Sequence, residues 1–152
     1  MTKTFERYID DMPGYLAKLE GIKSINLADL KDAQLPQAGI YVLYEHGIAQ
    51  YVGRTGRLKA RLKEHGHKNS THFGASFAFI LAKKQALLNG INCNSSREAL
   101  VAAPGFKFEE AKETVRLMQF KFVEIVDPIA QTLFEVYAAL ELKTPHNSFA
   151  NH

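Results

Sequence analysis

The sequence predicts a mixed α/β domain of the α+β kind, with a β-hairpin and one later strand set among helices. Three observations carry that expectation. The 152-residue chain is 46% hydrophobic and 23% charged, and its length suits one domain burying roughly 70% of the surface its unfolded chain exposes. Residues 39–53 and 119–126 concentrate β-branched and aromatic side chains. The remaining segments show helical spacing bounded by capping residues, proline and glycine. No repeat, low-complexity tract or Gly/Ser linker divides the chain, so residues 1–152 read as a single domain.

The N-terminal arm, residues 1–35, reads as two short helices over roughly 5–33. Pro13-Gly14 interrupts the first, and Asn26 is the N-cap of the second, Leu27–Ala33. Pro36 breaks any helix before the hairpin, whose strands are Gly39–Tyr44 and Ile48–Gly53. A three-residue loop of Glu45, His46 and Gly47 puts glycine at the left-handed position of a type I turn plus bulge. That register pairs Tyr44 with Ile48, and therefore Tyr41 with Tyr51, side by side on one face. A two-residue His46-Gly47 loop would place the tyrosines on opposite faces.

Arg54–His65 turns helical near residue 57. Arg57, Arg61 and His65 share one face at i, i+4 and i+8, Leu58 and Leu62 dock it, and Gly66 ends it. Residues 74–89 predict a buried helix ended by Gly90, with Phe73, Phe77, Phe79, Ile80 and Leu81 in the core. Ser95-Ser-Arg-Glu98 is a capping-box start to a short helix that stops at Pro104-Gly105. Another helix spans about 107–116 and leads into the strand 119–126. Asp127-Pro128 then supplies an N-cap and first-turn proline for a helix running to about Leu142. Its apolar stripe is Ile129, Leu133, Val136, Tyr137 and Leu140, with Glu135 off that stripe beside Ala138 and Ala139.

Composition excludes several classes. Intrinsic disorder, collagen-like repeats and a disulfide scaffold do not fit, and the lone Cys93 cannot close an internal disulfide. The opening residues lack the apolar core of a signal peptide, and no apolar run approaches the ~20 residues needed to span a bilayer. A cytoplasmic protein without a membrane partner is therefore expected. The net charge of +3 resolves into −1 over residues 1–38, +4 over 39–68 and zero over 69–152. A local basic stripe of this kind suits a phosphate backbone, although alone it also describes a solvated helix face. His65, His67 and His72 match no zinc-finger spacing, and no cysteines accompany them.

The ordered set Gly39-Ile40-Tyr41, nine residues, Tyr51-Val52-Gly53, then Arg61 and His65, then Glu135 on a late helix and Asn147 after a proline is specific. It resembles the GIY-YIG nuclease superfamily, in its compact stand-alone bacterial or phage form. The resemblance covers residues 36–68 and 118–149. It does not cover the N-terminal arm or the helical insertion 69–117. It implies a small three-stranded antiparallel sheet flanked by helices, and metal-dependent endonucleolytic hydrolysis of DNA leaving 5′-phosphate and 3′-hydroxyl ends.

By that resemblance the catalytic set is Tyr41, Tyr51, Arg61, His65, Glu135 and Asn147. Tyr41 is the candidate base or water-orienting group. A free phenol, with pKa ≈ 10, is too weak a base at neutral pH, so a cationic neighbourhood that favours phenolate is expected. Tyr51 hydrogen-bonds the water or a phosphate oxygen, Arg61 presents its fork to phosphate, and His65 assists Tyr41 or the phosphate. Glu135 offers the hard oxygen that Mg²⁺ or Mn²⁺ prefers. With a single carboxylate, that one ion should bind weakly without substrate. Asn147 positions the Glu135 region or a substrate oxygen. Gly53, Arg54, Arg57, Lys59 and Lys63 form the expected nucleic-acid contact. DNA stands ahead of RNA, and homodimerisation is left open. The alternatives are a non-catalytic nucleic-acid-binding module using the basic 54–68 face, or an RNA-directed nuclease.

Overall fold

A computed structural model describes residues 2–150. The elements in chain order are helix α1 (Phe5–Gly21), strand β1 (Ile25–Asn26), a 3₁₀ turn (Leu27–Asp32) and strands β2 (Gly39–Glu45) and β3 (Ile48–Thr55). Helices α2 (Leu58–Gly66), α3 (Ser76–Leu88), α4 (Arg97–Ala102) and α5 (Phe108–Arg116) follow. Strand β4 (Gln119–Glu124) and helix α6 (Pro128–Leu142) complete the fold. The mixed α/β class is as expected. The sheet, however, is antiparallel and four-stranded, in the order β1-β4-β2-β3, where three strands were expected. The additional strand is the two-residue β1, too short to leave a periodicity signal.

The sheet separates two cores. Tyr41, Leu43 and Phe120 face α2, α3 and α5, whereas Ile40, Val42, Val52 and Val123 face α1 and α6. Central β2 is therefore buried on both faces and reads as a continuous apolar run, while β3 is left as an edge strand.

Several local expectations are corrected. Pro13 does not interrupt the first helix; α1 runs unbroken through it. A mid-helix proline costs about 3 kcal/mol, and here burial of Met12 and Leu19, together with packing of Tyr15 edge-on to Phe134, holds the helix together. Asn26 does precede the 3₁₀ turn, but its side chain caps no backbone N–H.

The hairpin has a two-residue loop. His46 (φ 52°) and Gly47 (φ 77°) both adopt positive φ, which gives the type I′ twist favoured between right-twisted strands. That loop alone would have separated the tyrosines. A bulge at Gln50 restores them to one face, because Tyr44 pairs with Ala49 but Leu43 pairs with Tyr51. Tyr41 thus lies opposite Gly53 and diagonal to Tyr51, not directly across from it.

A further correction concerns α6. Its boundaries, Asp127 cap and first-turn proline are as expected, with Asp127 Oδ1 accepting from Ile129 N–H at 2.9 Å. Its buried stripe is Ala130, Phe134 and Ala138, with Gln131 and Ala139, whereas Ile129, Val136 and Leu140 are exposed. Two stripes at helical spacing coexist in this sequence. The one rich in alanine lets the helix axis approach the sheet closely, and Gln131 Nε2 donates to Ile125 O at 2.6 Å inside that contact.

Within 69–117, Phe77 and Phe79 are buried as expected, but Phe73 is exposed. The cap of α4 is Ser96, whose Oγ accepts from Ala99 N–H at 3.2 Å, one residue later than the capping-box spacing suggests. Among the described residues no helix is long and apolar enough to cross a membrane.

Candidate active site

The site is built on the free edge of the sheet. Val52 points its N–H and C=O away from β2, where among the described residues no further strand pairs with them, and the Asn147 amide takes a strand's place. Asn147 Oδ1 accepts from Val52 N–H (2.8 Å) and from Thr144 Oγ1 (2.8 Å), and Nδ2 donates to Val52 O (2.8 Å). Its oxygen accepts twice and one of its two amide hydrogens is used. Asn147 is a clasp on the strand that carries Tyr51, and it also lines the cavity beside that strand.

Tyr41 stands opposite Gly53, and its ring crosses the space a side chain would fill. A Cβ at Gly53 would fall far inside contact distance of Tyr41 Cζ and Oη. The glycine is required by a neighbouring ring, with no need to invoke a ligand. Gly39 is explained in the same way by the backbone of Val123.

The Tyr41 hydroxyl lies 2.6 Å from His65 Nε2, and both side chains are sealed from solvent. Burial, reinforced by Tyr51, pushes the Tyr41 phenol up; Arg61 opposes the shift without overcoming it. The cationic neighbourhood is present, but the expected lowering is not, because desolvating a phenolate costs more than the arginine returns. Burial, and then Arg61, pushes His65 down to about 3. The pair is therefore neutral, and among the described residues His65 Nδ1 has no hydrogen-bond partner. If Nε2 carries the imidazole proton it donates to the phenol oxygen and leaves a bare Nδ1 lone pair. If the phenol donates, an N–H is left unpaired.

Arg61 is held rigidly. Nη1 donates to Glu64 Oε2 (2.9 Å) and Gly74 O (2.8 Å), and Nη2 donates to Ser76 Oγ (2.7 Å). Glu64 also receives Arg57 at 3.2 Å. Partial burial pushes the Glu64 carboxyl up, but its hydrogen bonds from Arg61 and Arg57 outweigh that and hold it below the ordinary range. Arg57 and Arg61 thus share a face as expected, but the face is organised around a carboxylate. Sequence reasoning missed Glu64, although its spacing of three from Arg61 was visible. Nothing in the sequence marked Ser76.

Tyr51 stacks on Phe77 with centroids 4.7 Å apart and lies edge-on to His65 at 5.9 Å. It lines a cavity of about 620 Å³ together with Ser76, Glu135 and Asn147. Glu135 enters that cavity from α6, around the β3 edge, because the alanines on its own face draw the helix against the sheet. Burial pushes the Glu135 carboxyl up, with Arg54, at 3.6 Å, opposing. Tyr51, Glu135 and Asn147 therefore meet at one accessible cavity. Tyr41 and His65 lie behind its wall, and Arg61 is fixed to Ser76 of that wall.

The expected nucleic-acid contacts distribute differently. Arg54 is beside Glu135 and Arg57 is turned to Glu64, whereas Lys59 Nζ donates to Lys31 O (3.1 Å) and Ala33 O (2.9 Å). Lys59 and Lys63 border a separate depression with Leu27 and Arg116. Among the described residues no three His, Cys, Asp or Glu side chains converge, so Glu135 is the carboxylate the cavity offers a cation. Comparison of the chain with models of protein families, with curated proteins and with solved structures returns no match.

Proposed function

We propose that this chain is a divalent-metal-dependent endonuclease of the GIY-YIG kind, cleaving DNA phosphodiester bonds at the edge of β3. One observation carries the reading. Tyr51 and Glu135, brought together from β3 and α6, face one cavity while Arg61 and the neutral Tyr41–His65 pair stand directly behind it.

Hydrolysis adds water to phosphorus, breaks the bond to the leaving 3′ oxygen, moves one proton off the water and puts a proton on the leaving group. Tyr51 supplies a hydroxyl on the cavity wall that can hold the water or a non-bridging oxygen. With the phenol pushed up and the imidazole pushed down to about 3, the Tyr41–His65 pair stays neutral behind the wall and takes no proton. The proton leaving the water therefore passes to solvent in the open cavity, and the leaving oxygen takes one from solvent. Arg61 cannot lose its charge, and its bonds to Glu64, Gly74 and Ser76 fix it before substrate arrives, so it stabilises developing negative charge without reorganising. Glu135 is the residue that would hold Mg²⁺ or Mn²⁺, whose charge polarises the phosphoryl group when bound. Its half-buried carboxylate suits a hard cation, and as the lone carboxylate there among the described residues it needs phosphate oxygens and water to complete the ligand set.

The test is incubation with Mg²⁺ or Mn²⁺ and single-stranded, duplex and branched DNA. Cleavage to 5′-phosphate ends is expected, falling on the order of 100-fold or more in Glu135→Ala and Tyr51→Phe. Undiminished cleavage by both variants overturns the mechanism. Salt-dependent DNA binding without cleavage under either metal assigns the chain to non-catalytic nucleic-acid binding instead.

A further inference from the structure

We propose that the helical insertion is the substrate clamp, with Lys83 of α3 and Arg97 of α4 taking backbone phosphates that flank the scissile one. The inference rests on the nuclease reading and assigns its substrate contacts to a different part of the chain from the basic α2 segment. Both side chains line the cavity that holds Tyr51 and Glu135. Among the described residues neither has a carboxylate within salt-bridge distance, in contrast to Arg57, Arg61, Lys112 and Arg116. Arg97 is poised over the Phe79 ring, 4.8 Å from its centroid, which carries its charge at the cavity wall without neutralising it.

A third cation, Lys84, has a different task. Its Nζ donates to Pro145 O (3.0 Å) and lies 2.9 Å from His146 Nδ1, so it ties α3 to the turn that delivers Asn147 to β3. By contrast Lys59 is satisfied by two backbone carbonyls, and Lys63 opens onto another depression. The net charge of residues 69–152 is zero, so this clamp is invisible to a charge count along the chain. It exists because folding brings two unpaired cations of the insertion to a cavity where, among the described residues, Glu135 is the only acidic one.

The experiment is equilibrium binding of a fluorescein-labelled DNA duplex by anisotropy, in EDTA to block cleavage, across 50–300 mM salt. The proteins are the wild type, Lys83→Ala/Arg97→Ala and Lys59→Ala/Lys63→Ala. Each lost phosphate contact lowers the slope of log K against log salt by about 0.9 and weakens binding roughly tenfold near 0.1 M salt. The Lys83/Arg97 double variant should therefore raise Kd on the order of 10- to 100-fold and reduce the slope by about 2. The Lys59/Lys63 variant should stay within about twofold, and Lys83→Arg should retain the wild-type slope. A wild type that binds DNA with strong salt dependence, yet loses it through Lys59 and Lys63 and not through Lys83 and Arg97, overturns the clamp and leaves the nuclease reading standing. A wild type that neither binds nor cleaves DNA overturns both.

Discussion

Replacing His65 by glutamine should change how stability depends on pH, apart from any change in stability itself. In the folded protein His65 is sealed from solvent and pushed down to about 3 by burial and Arg61, whereas an unfolded histidine titrates near 6.5. Between those values the unfolded chain binds a proton that the folded chain refuses, so stability is complete above about pH 6.5 and is lost as pH falls. One site with these two constants removes about 2 kcal/mol by pH 5 and about 3 kcal/mol by pH 4, against a typical total of 5–15 kcal/mol. Glutamine keeps a polar group of similar reach for Tyr41 but does not titrate. Urea unfolding at pH 7.5, 6.0 and 5.0 measures both proteins. The wild type should lose about 2 kcal/mol more than the variant between pH 7.5 and 5.0. Other acid-sensitive groups, His146 included, are common to both proteins and cancel in the difference. Parallel curves would refute the argument, because they would mean that His65 is protonated without penalty in the fold.

Gly53→Ala should force the Tyr41 ring from its place, with a loss of about 1–3 kcal/mol in denaturant unfolding and disruption of the Tyr41–His65 pair visible in the imidazole NMR resonances. Asn147→Ala removes both hydrogen bonds to Val52 and exposes the β3 edge; about 1–3 kcal/mol of local stability should be lost, read as faster amide exchange at Val52. Because burial holds the Glu135 carboxyl above the ordinary range, Mn²⁺ affinity in the presence of DNA should fall as pH drops through a titration above that of a free glutamate. Glu135→Gln should abolish that pH dependence, measured by Mn²⁺-induced proton relaxation while the far-UV spectrum is unchanged.

The boundaries of α6 and the places of the hairpin and of the strand after residue 119 were legible because each rests on local chemistry: Asp127-Pro128, Gly47, and dense β-branched and aromatic runs. Even so, β4 ends at Glu124, two residues short of the expected 126, and β2 and β3 run on to Glu45 and Thr55. What was not legible came from competition between local rules and packing. Pro13 is a strong local stop, but the burial of Met12 and Leu19 on either side outweighs it. The α6 sequence holds two helical stripes, and only contact with the sheet selects the one containing Ala130, Phe134 and Ala138. The hairpin illustrates two departures that compensate. The loop is one residue shorter than expected, and the Gln50 bulge adds one residue back, so the tyrosines return to a common face through a register that no count along the strands yields. Of the residues about the cavity, Tyr51, Glu135 and Asn147 were singled out by their spacing, whereas Ser76, Lys83 and Arg97, and Glu64 beside Arg61, were not. Their positions are fixed by contacts between elements distant in sequence.

The distribution of charge gives the arrangement its physical logic. Burial holds Tyr41 and Tyr51 in their neutral forms and His65 deprotonated, and it pushes Glu135 toward protonation. The lasting charge in this group is Arg61, and Glu64 accompanies it. The interior therefore presents little net field, while Lys83 and Arg97, without a carboxylate partner among the described residues, stand at the rim. Attraction of a polyanion to such a site must come from the rim, and it should weaken as salt screens it. A step that needs Glu135 ionised should instead depend on a cation at that carboxylate, because only a nearby positive charge offsets the burial that opposes ionisation. On the proposed nuclease reading, salt titration and Glu135 substitution should accordingly separate, the first acting on capture of a nucleic acid and the second on hydrolysis of the strand once captured.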